Sequence, residues 1–287
     1  MKSISHIIII LFFLLILPVS AEAQNVYTRA DSLLVEKMLN NAKTLPRDAN
    51  LPLYFARQFQ GKPYVAHTLE VADNEQLIVN TRQFDCTTLV ETVTALTLCV
   101  RRQHYTFADY LEVLRMIRYR GGEIKGYSSR LHYFSDWIID NSSMSLVREL
   151  QSPIPPFTAT QHVHVSYMSQ HPEAYKALRN HPELVPKISK QEQLLTGMIF
   201  RYIPISELNN RNTLRDVVHD GDIIAITCNK PGLDIAHLGF SVWRKDGLHL
   251  LNASSVHKKV LEEPMTLRQY MSKHPSFTGI RIIRINR

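Results

Sequence analysis

Residues 84–100 read Phe84-Asp85-Cys86-Thr87-Thr88-Leu89-Val90-Glu91-Thr92-Val93-Thr94-Ala95-Leu96-Thr97-Leu98-Cys99-Val100. Leu89, Val93, Leu96 and Val100 recur at the helical repeat, so a helix opens at Cys86 and turns an apolar stripe to a core. A cysteine in the first turn feels the positive end of the helix dipole. That favours the thiolate, the form in which sulfur attacks. The same position also suits a half-buried cysteine with Asp85 or Thr87 as the helix cap, so placement alone leaves both readings open.

Upstream, Ala30–Ala42 carries Leu33, Leu34, Met38 and Leu39 on one face and reads as an amphipathic helix. Leu51–Phe59 reads as a second, ended by Gly61 and Pro63. The first residues hold Lys2, an apolar run from Ile7 to Leu17, Pro18 and the triplet Ala21-Glu22-Ala23. This is the pattern of a signal peptide over residues 1–23. The run is shorter than the roughly 20 residues that span a bilayer, so no stable membrane insertion is expected after cleavage. The mature chain is then exported, to the periplasm or beyond. Residues 24–287 suit one elaborated domain, with no internal repeat or linker.

The formal charge of +7 is spread along the chain, without the arginine and aromatic interleaving of nucleic-acid binders. Three cysteines in an exported chain leave at least one thiol free unless chains pair. Cys86 and Cys99 on one helix are separated by about 20 Å of rise, too far for a disulfide. Cys228, in an apolar run, reads as a buried small residue.

Downstream, Phe107 to about Tyr119 forms a helix with Thr106 and Asp109 as its capping pair and Gly121-Gly122 as its stop. Tyr127, His132, Tyr133, Phe134 and Trp137 make an aromatic patch. Phe134 and Trp137 suit a core, whereas Arg130, His132 and Asp136 suit a cleft that binds substrate. The region of about 101–215 reads as an insertion whose part from Ser152 to Asn212 is irregular and loop-rich. Beyond it, Asp222–Cys228, Leu238–Arg244, Leu248–Ser254 and Gly279–Ile285 are short runs of branched and aromatic residues, and Asp246-Gly247 marks a hairpin. Helices first and antiparallel strands after give an α+β fold, N-terminal helices packed on a C-terminal sheet.

A thiolate needs a base and a group that orients the base. His237 follows the flexible stretch Pro231–Ala236 and stands at a strand start, and Asn252 lies past the turn on the partner strand. Antiparallel pairing brings the two together, so the amide oxygen can accept from the imidazole N–H. His162 and His164 would share one face of a strand, but without a nearby carboxylate or cysteine they make a poor metal site. No metal or other cofactor is expected.

These residues carry a resemblance. Gly61-Lys62-Pro63-Tyr64, Phe84-Asp85-Cys86-Thr87-Thr88-Leu89-Val90-Glu91, Gly221-Asp222-Ile223, Ala236-His237-Leu238-Gly239-Phe240 and Leu250-Leu251-Asn252-Ala253-Ser254 come in the order used by the NlpC-type cell-wall cysteine hydrolases. The chain resembles most their exported branch of N-acetylmuramoyl-L-alanine amidase-like proteins, through Pro63-Tyr64-Val65-Ala66, Leu69-Glu70, Tyr202-Ile203-Pro204 and Ala253-Ser254-Ser255. The resemblance covers Leu51 to the C-terminus. It implies a papain-like core and peptidoglycan or a muropeptide as substrate. The expected bond joins N-acetylmuramic or anhydro-muramic acid to L-alanine; in most relatives it joins D-glutamate to a diamino acid. Cys86, His237 and Asn252 would be catalytic, with the Cys86 N–H and the Tyr64 hydroxyl holding the oxyanion. Asp85, Thr87 and Ser254 would bind substrate polar groups or cap local structure. Two departures stand out: Asn252 replaces a common histidine, and His67 stands where glycine is expected. The competing reading from another class is a wall-binding protein without catalysis, which would keep the aromatics but need no convergence of Cys86, His237 and Asn252.

Overall fold

The computed structural model describes residues 25–71, 74–209 and 211–286, and the leader read in residues 1–23 lies outside them. Five helices come first: α1 (Arg29–Ala42), α2 (Leu51–Gln58), α3 (Cys86–Arg101), α4 (Phe107–Arg118) and α5 (Phe134–Ser143). Then follow β1 (Val147–Leu150), β2 (Ala159–His162), α6 (Tyr167–Gln170), α7 (Lys176–Asn180), α8 (Val185–Leu195), β3 (Ile199–Pro204) and α9 (Arg211–Val217). The chain closes with β4 (Ile223–Cys228), β5 (Ile235–Trp243), β6 (Leu248–Ser254), β7 (Lys259–Glu262), α10 (Leu267–Ser272) and β8 (Phe277–Ile285). The expected α+β arrangement is present. All strand pairs are antiparallel, in the order β2-β3-β8-β4-β5-β6-β7, and β1 also pairs with β8.

The sheet is buried on both faces. Ile223 and Ala225 of β4, Leu251 and Ala253 of β6, and Ile283 and Ile285 of β8 join the helices α1–α5 in one core. Their neighbours Ile224, Ile226, Leu248, Leu250, Ile280 and Ile282 pack with Leu214 of α9 and with Leu267 and Met271 of α10 in another. Two-sided burial explains why these strands are continuous apolar runs rather than alternating ones.

Helix α3 is buried at every residue from Thr88 to Cys99. A helix enclosed all round needs more than the single apolar stripe read from its sequence. It packs against α1, α2 and α4 and against β5 and β6. The one carboxylate it carries inward, Glu91, is matched by Arg118 of α4: Nε donates to Oε2 over 2.7 Å, and Nη1 donates to the Ile78 carbonyl over 2.6 Å. Both side chains are 2% exposed.

Ser152–Asn212 is not the irregular stretch expected. It holds β2 and β3, which extend the sheet, and three short helices broken at His171-Pro172 and His181-Pro182, where proline cannot continue the preceding helix. Val163, Val165, Met168, Leu178, Ile188 and Leu195 form a third small core against Tyr127 and Tyr133. A buried carboxylate ties it to α5: Glu192 Oε1 accepts from the Tyr133 hydroxyl over 2.7 Å and from the Ser169 N–H over 3.1 Å. His67, expected to be glycine, has a φ of 61°, the left-handed region that glycine favours.

Arg118→Met strands the Glu91 charge in the core and should cost about 3–5 kcal/mol in urea unfolding. The double variant with Glu91→Leu should recover most of that loss. Equal losses in both would show that the core does not depend on the charge being paired.

Candidate active site

Cys86 is the first residue of α3 and is only partly buried. Asp85 caps the helix in a reciprocal pair, its Oδ1 accepting the Thr88 N–H over 2.7 Å while the Asp85 N–H donates to Thr88 Oγ1 over 3.0 Å. Beside this start the Phe84 N–H donates to the Pro63 carbonyl over 3.0 Å, and the Val65 N–H to the Phe84 carbonyl over 2.9 Å. The Pro63–Val65 segment therefore holds Tyr64 next to the thiol. Burial first, and then the electrostatic influence of neighbouring Cys86 and Asp85, push the Tyr64 hydroxyl up to about 12.

Donors from the Thr87 side chain and from the Thr87 and Leu238 backbone act on the Cys86 thiol and lower its pKa. These donors favour the thiolate. Burial, followed by the Asp85 carboxylate, outweighs them and pushes the thiol up to about 12. The acidification expected from the helix start is thus overridden, and the cysteine rests as a thiol.

His237 is buried inside β5, two residues past the strand start where it was expected. Its Nε2 lies 2.9 Å from Asn252 Oδ1. An amide oxygen only accepts, so Nε2 carries the proton and Nδ1 is left as the basic nitrogen. Burial pulls the His237 pKa below the ordinary 6.5, against the Asn252 bond and the Glu263 charge, which raise it. The contact is diagonal. Extending the β5–β6 register from Phe240↔Leu251 sets Gly239 opposite Asn252. A Cβ on Gly239 would fall 2.6 Å from the Leu251 carbonyl oxygen, so a larger residue would force the two strands apart.

Cys86, Thr87, His237 and Leu238 share the wall of a cleft of about 140 Å³. Tyr133 and Phe134, Met168 and Tyr175, and the Leu233–Ala236 loop close its other sides. His132 also lines it. Its Nε2–H donates to the Tyr127 carbonyl over 2.9 Å, its ring lies against Tyr127, and burial with the Arg130 charge pushes it down to about 3. It therefore stands neutral with Nδ1 as an acceptor.

The remaining residues expected in the site lie elsewhere. Arg130 faces Glu75, 3.3 Å from its Oε1, and stacks over Tyr127. Asp136 pairs with Arg120. Neither lines the cleft. Ser254 is buried, and its Oγ accepts the His257 N–H over 3.2 Å at the turn after β6. Cleft residues that sequence reasoning missed are Met168, Tyr175 and Asp234; the last accepts the Ser135 N–H over 2.7 Å at the start of α5. Their only sequence signal was position within the polar stretches. His162 and His164 are exposed, and among the described residues no group of three or more His, Cys, Asp or Glu side chains is placed to hold a metal ion. All three cysteines are free. Among the described residues no helix is long and apolar enough to cross a membrane.

Residues 54–280 match the AmiA-like family, described as N-acetylmuramoyl-L-alanine amidase-like. No curated protein sequence matches. Among solved structures, an N-acetylmuramoyl-L-alanine amidase from Bacteroides uniformis is 40% identical, with 83% of this chain and 98% of that chain covered and a TM-score of 0.77. A candidate xylanase from Bacteroides fragilis is 42% identical over 80% of this chain and 99% of that one, with a TM-score of 0.75. A Legionella pneumophila protein, 21% identical over 90% of this chain and 95% of that one at a TM-score of 0.69, shares the fold. With the matched span covering most of its length, the chain belongs to the N-acetylmuramoyl-L-alanine amidase-like family of peptidoglycan hydrolases.

Proposed function

We propose that this chain is an exported, papain-like cysteine amidase of the NlpC type that cleaves the bond between N-acetylmuramic or anhydro-muramic acid and L-alanine. The observation that carries the reading is the 2.9 Å contact of His237 Nε2 with Asn252 Oδ1, which leaves Nδ1 as the basic nitrogen of a residue that lines the same cleft as Cys86. The name of the Bacteroides uniformis relative supports the choice of bond.

In this reading His237 Nδ1 takes the thiol proton as Cys86 sulfur bonds to the lactyl carbonyl carbon. The Cys86 N–H and the Tyr64 hydroxyl meet the oxyanion. Collapse breaks the C–N bond, and His237 returns the proton to the departing L-alanine nitrogen. Water, deprotonated by His237, then adds to the thioester and frees the muramoyl carboxylate and the thiol. A thiol with a high pKa and an imidazole with a lowered one make proton transfer concerted with attack the economical course. The leader of residues 1–23 would deliver the enzyme to the periplasm or beyond.

Cys86→Ala should lower hydrolysis of disaccharide-peptide fragments by at least about a thousandfold, with thermal unfolding little changed. Activity near that of the unmodified protein would remove Cys86 from the chemistry. The base must be neutral, and the His237 pKa is held below 6.5, so the acid limb of kcat/KM should fall below pH 6.5 and most activity should survive at pH 6.5. A limb above 6.5 would assign the base to another group. Mass analysis of digested muropeptides should find free peptides that begin with L-alanine; cleavage after D-glutamate would instead identify a γ-D-glutamyl-diamino acid endopeptidase.

A further inference from the structure

Behind Asn252 lies a carboxylate that the catalytic scheme above does not use. Glu263 follows β7 and is fully buried. Its backbone is pinned to β6: its N–H donates to the Leu250 carbonyl over 2.8 Å, and its carbonyl accepts from His249 Nδ1 over 2.9 Å. Its side chain points at the amide of Asn252, whose Nδ2 donates to Glu263 Oε1 over 3.1 Å. The other oxygen, Oε2, makes no hydrogen bond, although His257 Nε2 lies 3.3 Å away at ion-pair distance. A buried carboxylate with one oxygen left without a hydrogen bond is costly to keep, and packing gives no reason for it.

The polarity of the contacts supplies a reason. A carboxylate accepts and cannot donate, so Asn252 must turn its NH₂ toward Glu263 and its oxygen toward His237. That oxygen in turn accepts only, so the His237 proton must sit on Nε2 and the lone pair on Nδ1. We propose that Glu263 is a positioning residue of the active site, fixing the His237 tautomer through Asn252 and supporting the imidazolium that forms when His237 takes a proton. The inference rests on the cysteine-hydrolase reading of the site. Other groups act on His237 as well. Asp85 at the α3 cap raises its pKa, and His274 beyond α10 lowers it, while the Tyr270 ring of α10 lies 6.3 Å away. Cys86 shares the cleft, and His257 is the group on the far side of Glu263. Glu263 alone among them touches Asn252.

The test uses the full mature chain with Glu263→Gln and Glu263→Ala. Glutamine can keep an acceptor oxygen toward Asn252 but carries no charge; alanine removes both. Kcat for release of L-alanine peptides should fall about tenfold in the first and about a hundredfold in the second, with KM little changed, as for lost second-layer contacts elsewhere. The Gln variant should also show its acid limb displaced to lower pH, because an imidazolium without Glu263 gives up its proton more readily. Loss of folding alone would scale activity and leave that limb in place. Wild-type kcat and an unmoved limb in Glu263→Gln overturn the proposal, as does a loss in both variants that vanishes when rates are referred to the folded fraction. Alkylation of Cys86 by iodoacetamide, followed by peptide mass, separates this from the underlying reading because it needs no substrate. Slower alkylation in Glu263→Gln, about tenfold at neutral pH, supports the relay even if the wild-type protein cleaves no muropeptide. An unchanged rate in an enzyme that depends on Cys86 for activity counts against Glu263 alone.

Discussion

The enclosure of α3 is the constraint on which the rest of the structure depends. A helix buried from Thr88 to Cys99 cannot rotate or slide without opening the core on several sides. Its first residue is therefore fixed relative to β5 and β6, which it packs against. Cys86 inherits that fixity, and the Asp85–Thr88 cap sets the last few degrees at the point where the helix leaves the core. The Glu91–Arg118 pair belongs to the same requirement: it lets one charged side chain sit on a surface that faces protein in every direction.

The same burial sets the electrical character of the site. It raises the thiol pKa and lowers the imidazole pKa, which favours the uncharged form of each. In the proposed reaction charge would separate only as attack proceeds, and the groups around the pair suit that later state. The backbone donors of Leu238 and Thr87 lower the thiol pKa, while a chain of acceptors runs back from His237 through Asn252 to Glu263. Interactions that strengthen only when charge appears lower the barrier rather than the resting energy.

Much of this was legible in the chain. The helices α1–α4 and the strands β4, β5, β6 and β8 carry either a helical repeat or a continuous apolar run, and their ends lie within a few residues of where caps and turns place them. Cys86, His237 and Asn252 stood out because a helix start, a strand and a hairpin turn put them within reach. What was missed lacks a local signal. Strands β2 and β3 have half-exposed residues and lie toward an edge of the sheet, so their apolar content is low. Arg130 and Asp136 looked available because the carboxylates and guanidinium that occupy them, Glu75 and Arg120, are brought to them only by the fold. Glu263 sits beside Glu262 and Pro264, where no periodic pattern marks it, and only three-dimensional packing shows it to be buried.

The third core, between α5 and the helices broken by His171-Pro172 and His181-Pro182, gives the cleft walls different mechanical footing. Cys86 and His237 are rooted in the main body, on α3 and β5. Met168 stands on the single-turn helix α6 and Tyr175 just before α7, held by a few apolar contacts and the Glu192 tie. Segments of that kind exchange amide protons through local opening, well before the body does. In the proposed enzyme the reacting groups would sit on the main body and the facing wall on these short segments, so substrate could be admitted and product released without disturbing the register of the chemistry.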